Sequence, residues 1–557
     1  VPPRREMEAA SAAHRRGWDL IEELPCWTDQ DRLDLARAFL ADARQGFEQR
    51  AANTLVPQGF VQVVDENHGT HAALNTLDAW GPFATGWDLP ESQGWMKVVE
   101  ATFAGQAASH QILEDACGYL CYCPIHTMTY ALATRDLTTF QRGIARGHAE
   151  FIAQCSVSNL GLTTGFGDDG NLVEPAVFEA IAPAAWFHRD PHLAWVLREA
   201  LPQAAGLRIF QNALPVDLSV TAVEPETWNG LTVFPIFQQT LRKGEGAREI
   251  IHDPRQSVGR EWFNKIVFRE RFHPDAQYLL LDGAGKFGEI EGYPSGPAGH
   301  RHEDVNTIIT FTDQERLWLV DHTYAERSIK DHSGLVISRD GRMSYRVREA
   351  RLRLAVQSDA FALTTSAFTD FSGATWERTL LWERGRRFMV VDRAIAEEAG
   401  EYRVRGSFRG LGAARLEADG LHLEQDGKAC VILADGRARL GLSDHPWADG
   451  EEKARWYRHA EPVVRVFRQD RRGRLEPGQS LDLISLIEAG PSPAALAGLR
   501  LRRVAATAAL VEAPDGALLG GTGTLPVDAG EAGAFILRRG AALLGALRRL
   551  GPAAAPL

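Results

Sequence analysis

The texture of the chain changes near residue 230, and that change limits the fold more than any other feature. Ahead of it the apolar residues recur at helical spacing. "TDQDRLDLARAFLADARQGFEQR" sets Thr28 and Asp29 as a cap before Leu33, Leu35, Ala36, Phe39 and Leu40. Similar amphipathic segments are predicted around 72–80, 95–108, 111–133, 137–155 and 186–203, separated by Gly, Pro and Asn loops. Beyond residue 230, "KIVFRERF", "AQYLLLDG", "RTLLWERGRRFMVVDRAIA" and "LHLEQDGKACVILADG" are short strand runs joined by Gly-centred turns. Helices first and strands afterwards predict a multidomain α+β chain, not an alternating α/β fold. The expected divisions are a helical domain over 1–230, an antiparallel β-sandwich over 231–490 and a small C-terminal β appendage over 491–557.

At 557 residues and 61.3 kDa the chain is too long for a single core. Its 45% hydrophobic and 24% charged residues are those of a globular protein, and no apolar run approaches the roughly 20 residues that cross a bilayer. A net charge of −12 argues against a general nucleic-acid binder. It also leans slightly away from heavily sulfated ligands. Six scattered cysteines do not form a disulfide framework; reduced core thiols are expected, with zinc at Cys117, Cys121 and Cys123 the weaker alternative. The chain starts at Val1 without a leader-like segment, which leaves periplasmic, secreted and cytoplasmic locations open.

"GHRHEDVNTIITF" at 299–311 concentrates the chemistry. Thr307 to Phe311 reads as a strand, and Arg316 to Val320 as its partner across a polar Thr-Asp-Gln-Glu turn. Such a hairpin returns Asp321 toward His302, and the turn after it brings in His332 of "DHSGLVIS". Two imidazoles and a carboxylate suit zinc, so His302, Asp321 and His332 are the candidate metal ligands, with His300 left for other work. Asp304 is either an orienting carboxylate or a solvated turn acid. A second polar cluster, "VVDENHGTHAAL", places Asn67, His68 and His71 at a helix start, where the plain alternative is an ordinary capped loop. "LEDACGYLCYCPIH" adds Tyr119 and Tyr122, a spacing that taken alone is more often core packing than catalysis.

An Asn-His pair and a later Tyr in a helical region, followed by G-H-x-H-x-D, a strand ending in Asp and H-S, resembles the heparinase II/III-like polysaccharide lyases, relatives of the oligoalginate lyases. The likeness spans roughly 20–480, and "GFGDDGN" at 165–171 resembles that family's Gly-Asp loop. It implies an α/α toroid, here a short and incomplete one, ahead of the sandwich. It also implies cleavage of a uronic-acid polysaccharide by β-elimination. The carboxylate beside C5 must be neutralised, a role the resemblance gives to Asn67 and His68. A phenol with a reference pKa of about 10 acts as base only beside positive charge or donors. Tyr122 is the choice for that base and for the proton returned to the leaving oxygen, with Tyr119 in reserve. His300 would face the cleft from the sandwich as an alternative base or second donor. His71, Tyr119 and Tyr324 complete the substrate contacts, while the zinc would be structural.

A non-catalytic glycan-binding protein of the same fold is the rival expectation, and a zinc hydrolase a weaker one, since no H-E-x-x-H accompanies the cluster. The expected partner is an acidic glycan, such as alginate or a glycosaminoglycan, and a homodimer is open.

Overall fold

The computed structural model describes residues 21–46, 89–107, 116–167, 170–203, 219–235, 237–243, 248–257, 262–283, 303–321, 328–345, 350–447, 453–514, 516–522, 534–539 and 548–549. Asn67, His68, His71, His300, His302 and Tyr324 lie outside these residues, as does the helix expected over 72–80.

The helical part contains α1 (Asp29–Gly46), α2 (Pro90–Gln106), α3 (Tyr122–Thr134), α4 (Thr138–Gln141), α5 (Ile144–Phe151), α6 (Pro175–His188) and α7 (Pro191–Trp195). The predicted cap of α1 is present: the Thr28 hydroxyl accepts from the Asp31 N–H, and the Asp31 carboxylate accepts from the Thr28 N–H at 2.9 Å. The expected helix over 137–155 is instead two helices and a π turn at Ile152–Ser156, because Gly143 takes φ 73° between them. The one over 186–203 is likewise cut, where α6 ends at left-handed Arg189 and Asp190 caps α7 just ahead of Pro191. α6 is apolar on all sides because it is the centre of this layer, buried from Ala176 to Ala185.

The strand-rich part opens with β1 (Gly230–Pro235), β2 (Phe263–Arg269), β3 (Tyr278–Asp282), β4 (Ile308–Asp313), β5 (Arg316–Leu319) and β6 (Leu335–Arg339). It continues through β7 (Arg351–Gln357), β8 (Phe361–Phe371), β9 (Ala374–Glu383), β10 (Arg387–Ala396), β11 (Gly400–Gly410), β12 (Ala413–Leu416), β13 (Gly420–Gln425), β14 (Lys428–Ala434), β15 (Arg439–Pro446), β16 (Val463–Leu475) and β17 (Ser480–Gly490). Two antiparallel nine-stranded sheets result. One runs β1-β2-β3-β4-β5-β11-β16-β15 with β6 beside β11; the other runs β12-β13-β14-β17-β10-β9-β8-β7 and ends at Arg548–Arg549. Alternation gives each sheet one face to a shared core, where Phe268, Leu279, Trp318 and Phe408 of the first meet Trp382, Phe388, Leu423 and Ile487 of the second. A four-stranded sheet, β18 (Arg500–Ala505), β19 (Ala508–Ala513), β20 (Gly516–Thr522) and β21 (Ala534–Arg539), covers the outer side of the second sheet through Val511 and Leu518.

The helices cover part of the first sheet's outer face. Val267, Tyr278, Leu280, Ile309, Leu317, Val320 and Leu411 belong to one apolar cluster with Leu120, Phe140, Val177 and Ile181. The join is also polar. Arg269 Nη2 donates to the carbonyls of Gln154 at 3.1 Å and Val157 at 2.7 Å, where the π turn ends, and Tyr278 donates to Gln154 at 2.9 Å. Asn159 accepts from Arg269 and donates to the Ala276 carbonyl at 2.9 Å. Burial brings the Arg269 pKa down to about 10, still a cation at neutral pH. A split site suggests a hinged cleft, but this seam is a shared apolar core crossed by buried hydrogen bonds, with Arg269 Nε and Gln154 Oε1 left without a partner among the described residues.

Candidate active site

The β4–β5 hairpin forms as its alternation predicts, with one difference. Thr312 and Asp313 remain in the strand, and the turn is the pair Gln314 and Glu315 at φ 55° and 59°. Both central residues are left-handed because that two-residue turn matches the strand twist. At the other end of the hairpin the chain passes through Asp321, whose Oδ1 lies 2.8 Å from His332 Nδ1 with both side chains fully buried. The turn after the hairpin therefore does bring His332 to Asp321, while His302, toward which the hairpin is expected to return, lies outside the described residues. The Asp321 Oδ2 is buried and makes no hydrogen bond among the described residues. Burial works against the His332 imidazolium, but the carboxylates of Asp321 and Asp304 outweigh it and raise its pKa.

The turn at 303–307, which directly follows His302 in sequence, is fixed at nearly every residue. Glu303 accepts from the Ile329 N–H at 3.0 Å and from the Tyr345 hydroxyl. Asp304 is only 2% exposed, so it is not a solvated turn acid; its Oδ2 accepts from the Gly167 N–H at 3.3 Å. Asn306 holds φ 62°, with its N–H on the Asp282 carbonyl at 2.8 Å and its side-chain oxygen accepting from Ser366 at 2.6 Å. A left-handed Asn persists when its surroundings over-determine it.

Arg378 joins this turn to the His332 segment. It grips Asp392 with two hydrogen bonds of 2.8 and 2.9 Å and sends its remaining Nη1 to the carbonyls of Asn306 and Ser333, 3.0 Å each. One buried cation thus clamps the segments that flank both predicted histidine ligands. No motif announced Arg378. The nearest signal was an Arg inside an otherwise apolar strand run, "RTLLWE", facing an Asp in the next strand.

The helical layer reaches the same place through the Gly-rich loop. The Phe166 carbonyl accepts from the Cys117 N–H at 3.1 Å, one turn ahead of Tyr119 and Tyr122, and the next residue, Gly167, binds Asp304. The Phe166 ring sits 4.3 Å from the Lys265 ammonium, which pairs with Asp282 at 2.8 Å in full burial. Burial disfavours that ammonium, yet Asp282 and Asp304 raise its pKa. Tyr119 lies in a short 3₁₀ turn and Tyr122 opens α3; both are half-buried, with ring centroids 6.0 Å apart. Tyr122 also stacks at 6.2 Å over buried His126, a neighbour that sequence reasoning missed.

All six cysteines are free thiols and five are buried, as expected for core residues. Among the described residues the one group of three metal-type donors is Glu417, Asp419 and His422, partly or fully exposed on the β12–β13 hairpin and separate from the predicted set.

Neither a family model nor a curated protein matches the chain. Solved structures do. The crystal structure of heparinase III is similar over 96% of this chain and 75% of its own, with a TM-score of 0.62 at 12% identity. The chain has the heparinase III fold. The heparan sulfate lyase HepC from Pedobacter heparinus is also similar, with a TM-score of 0.56 at 11% identity over 96% of this chain and 74% of its own. At such identities the likeness is one of fold, and the chemistry has to be argued from this chain's own residues.

Proposed function

We propose that the protein is a polysaccharide lyase that cleaves a uronic-acid-containing glycan by β-elimination. The observation that carries the reading is the locked turn at 303–307, held from one side by the Gly167 loop beside the Tyr119/Tyr122 helix start and from the other by Arg378 and the His332 segment. Such a turn is a rigid support at the foot of the His300 and His302 segment, and a preorganised base or donor is what C5 proton abstraction needs. In this reading Asn67 and His68 neutralise the uronate carboxylate. Tyr122, or Tyr119 in its place, takes the C5 proton. The C4–O bond then breaks, the double bond forms between C4 and C5, and the proton goes to the departing oxygen. His300 acts from the sheet side, with His71 and Tyr324 contacting the sugar. The architecture proposed with it is an incomplete α/α toroid over 1–230, a β-sandwich over 231–490 and the appendage over 491–557.

His302, Asp321 and His332 are proposed to hold a divalent metal, zinc by donor type. The buried Asp321 oxygen without a hydrogen-bond partner among the described residues fits that role, and the carboxylate beside His332 Nδ1 would orient the imidazole. Bound there, the ion contributes folding energy and no reacting group. Asp321 and His332 fix the segment that Arg378 grips.

Incubation with a panel of uronate polymers tests the function. Ultraviolet absorbance from an unsaturated product supports it. Binding without product would assign a glycan-binding role instead, and new reducing ends without absorbance a hydrolase.

A further inference from the structure

The first sheet's outer face extends beyond the described helices, and the part that no described helix covers is lined with arginine. On β11, Leu411 lies under the helices and Arg409 is buried, its backbone tied to Val320 and Ser333. Alternation then brings Arg405 and Arg403 to the same face. Across the ladder Arg472 stands directly opposite Arg403, Arg468 opposite Ser407, and Asp470 between Arg405 and Arg439 of β15. Asp470 binds Arg405 at 2.7 Å, whereas Arg403, Arg439, Arg468 and Arg472 make no ion pair among the described residues. Like charges directly opposite on a ladder cost stability, and here they gather on a chain whose net charge is −12. From Arg409 to Arg403 the strip runs about 20 Å. It starts beside the buried His332 segment, whose Ser333 receives the Arg409 N–H at 3.0 Å.

We propose that this strip binds an extended sulfated polysaccharide, as a track leading away from the site. Planar guanidinium forks suit sulfate and carboxylate oxygens, and the facing pair Arg403 and Arg472 suits closely spaced anions. A sulfated chain supplies these where an unsulfated uronate chain carries sparser charge. The inference deepens the lyase reading and rests on it for what happens at the end of the track. It also replaces the lean away from sulfated ligands, because recognition depends on the local field and not on the net charge.

Equilibrium binding of fluorescently labelled sulfated glycosaminoglycan, an unsulfated uronate polymer and single-stranded DNA tests it, across a salt series, on the full chain and on Arg403→Glu/Arg472→Glu. The proposal expects the sulfated chain to bind most tightly. It further expects the reversal to weaken that binding at least about tenfold and flatten its salt dependence. Should the reversal disturb folding, Arg403→Gln/Arg472→Gln gives the same reading with a smaller loss. Unchanged binding in a folded variant overturns the proposal. So does equal affinity for the unsulfated polymer, or DNA binding as tight as glycan. If binding falls as expected while no polymer yields an unsaturated product, the track stands and the lyase reading fails. If product forms and the variants bind normally, the reverse holds.

Discussion

The arginines under cover and the arginines in the open behave as two populations. Arg269 and Arg378 are fully buried, and their hydrogen bonds go to carbonyls, Asn159 and Asp392. Those of the strip face solvent, and four of the five have no ion-pair partner among the described residues. A buried charge must be paired or neutralised, since leaving water costs several kcal/mol. An exposed one keeps its hydration and remains available to a ligand. Burial, under the helices for Arg269 and between the two sheets for Arg378, more than residue type, decides which arginines hold the fold together and which are left to bind.

The largest effect should come from Arg378→Met, which strands Asp392 and frees both clamped segments. A loss of about 3–5 kcal/mol in urea unfolding is expected, together with lower zinc content; a loss under about 1 kcal/mol would break the distinction. Arg269→Met comes next. It leaves the Val157 carbonyl and the Asn159 oxygen without their Arg269 donor at the seam and the Gln154 carbonyl with Tyr278 alone, and about 3 kcal/mol is expected on the same assay.

Asp313 sharpens the comparison from the acidic side. It is buried with Gln277 at 2.9 Å and in no ion pair among the described residues, and burial raises its pKa to about 7. Its folded pKa lies above the ordinary carboxylate value, so its contribution is complete below about pH 4 and is lost as pH rises through 7. Asp313→Asn should remove that decline, flattening stability between pH 5 and pH 8 by about 2–3 kcal/mol. Denaturation midpoints at both pH values would show it, and parallel profiles for the two proteins would refute it. The smallest effect belongs to the strip, where Arg403→Glu/Arg472→Glu should alter stability by no more than about 0.5 kcal/mol. A larger loss in thermal unfolding would mean that the open arginines are structural after all.

Some of this was legible in the chain and some was not. The turn after the 307–320 hairpin is expected from the sequence to bring in His332, and it does set His332 beside Asp321, a local step. The Arg378 clamp was hidden because its partners lie 72 and 45 residues away in sequence. Asp304 reads as a surface acid until Gly167, 137 residues earlier, is folded against it. The strip was masked twice, by a net charge that averages over the whole chain and by a strand pairing that sets Arg403 opposite Arg472, far away in sequence. Helix breaks at Gly143 and Asp190 were signalled by Gly and Pro, but amphipathic spacing on either side argued for continuity.

Product mass is the most direct measurement of the central claim, that the Tyr122 helix start and the locked turn serve elimination. Oligosaccharides released from the interior of a cleaved uronate polymer should each carry an unsaturated non-reducing end and weigh one water less than the hydrolysis product. Tyr122→Phe should release none of them while retaining its fold. Interior products of full hydrolytic mass with none unsaturated, or undiminished release by a chain lacking both the Tyr119 and Tyr122 hydroxyls, would contradict the account.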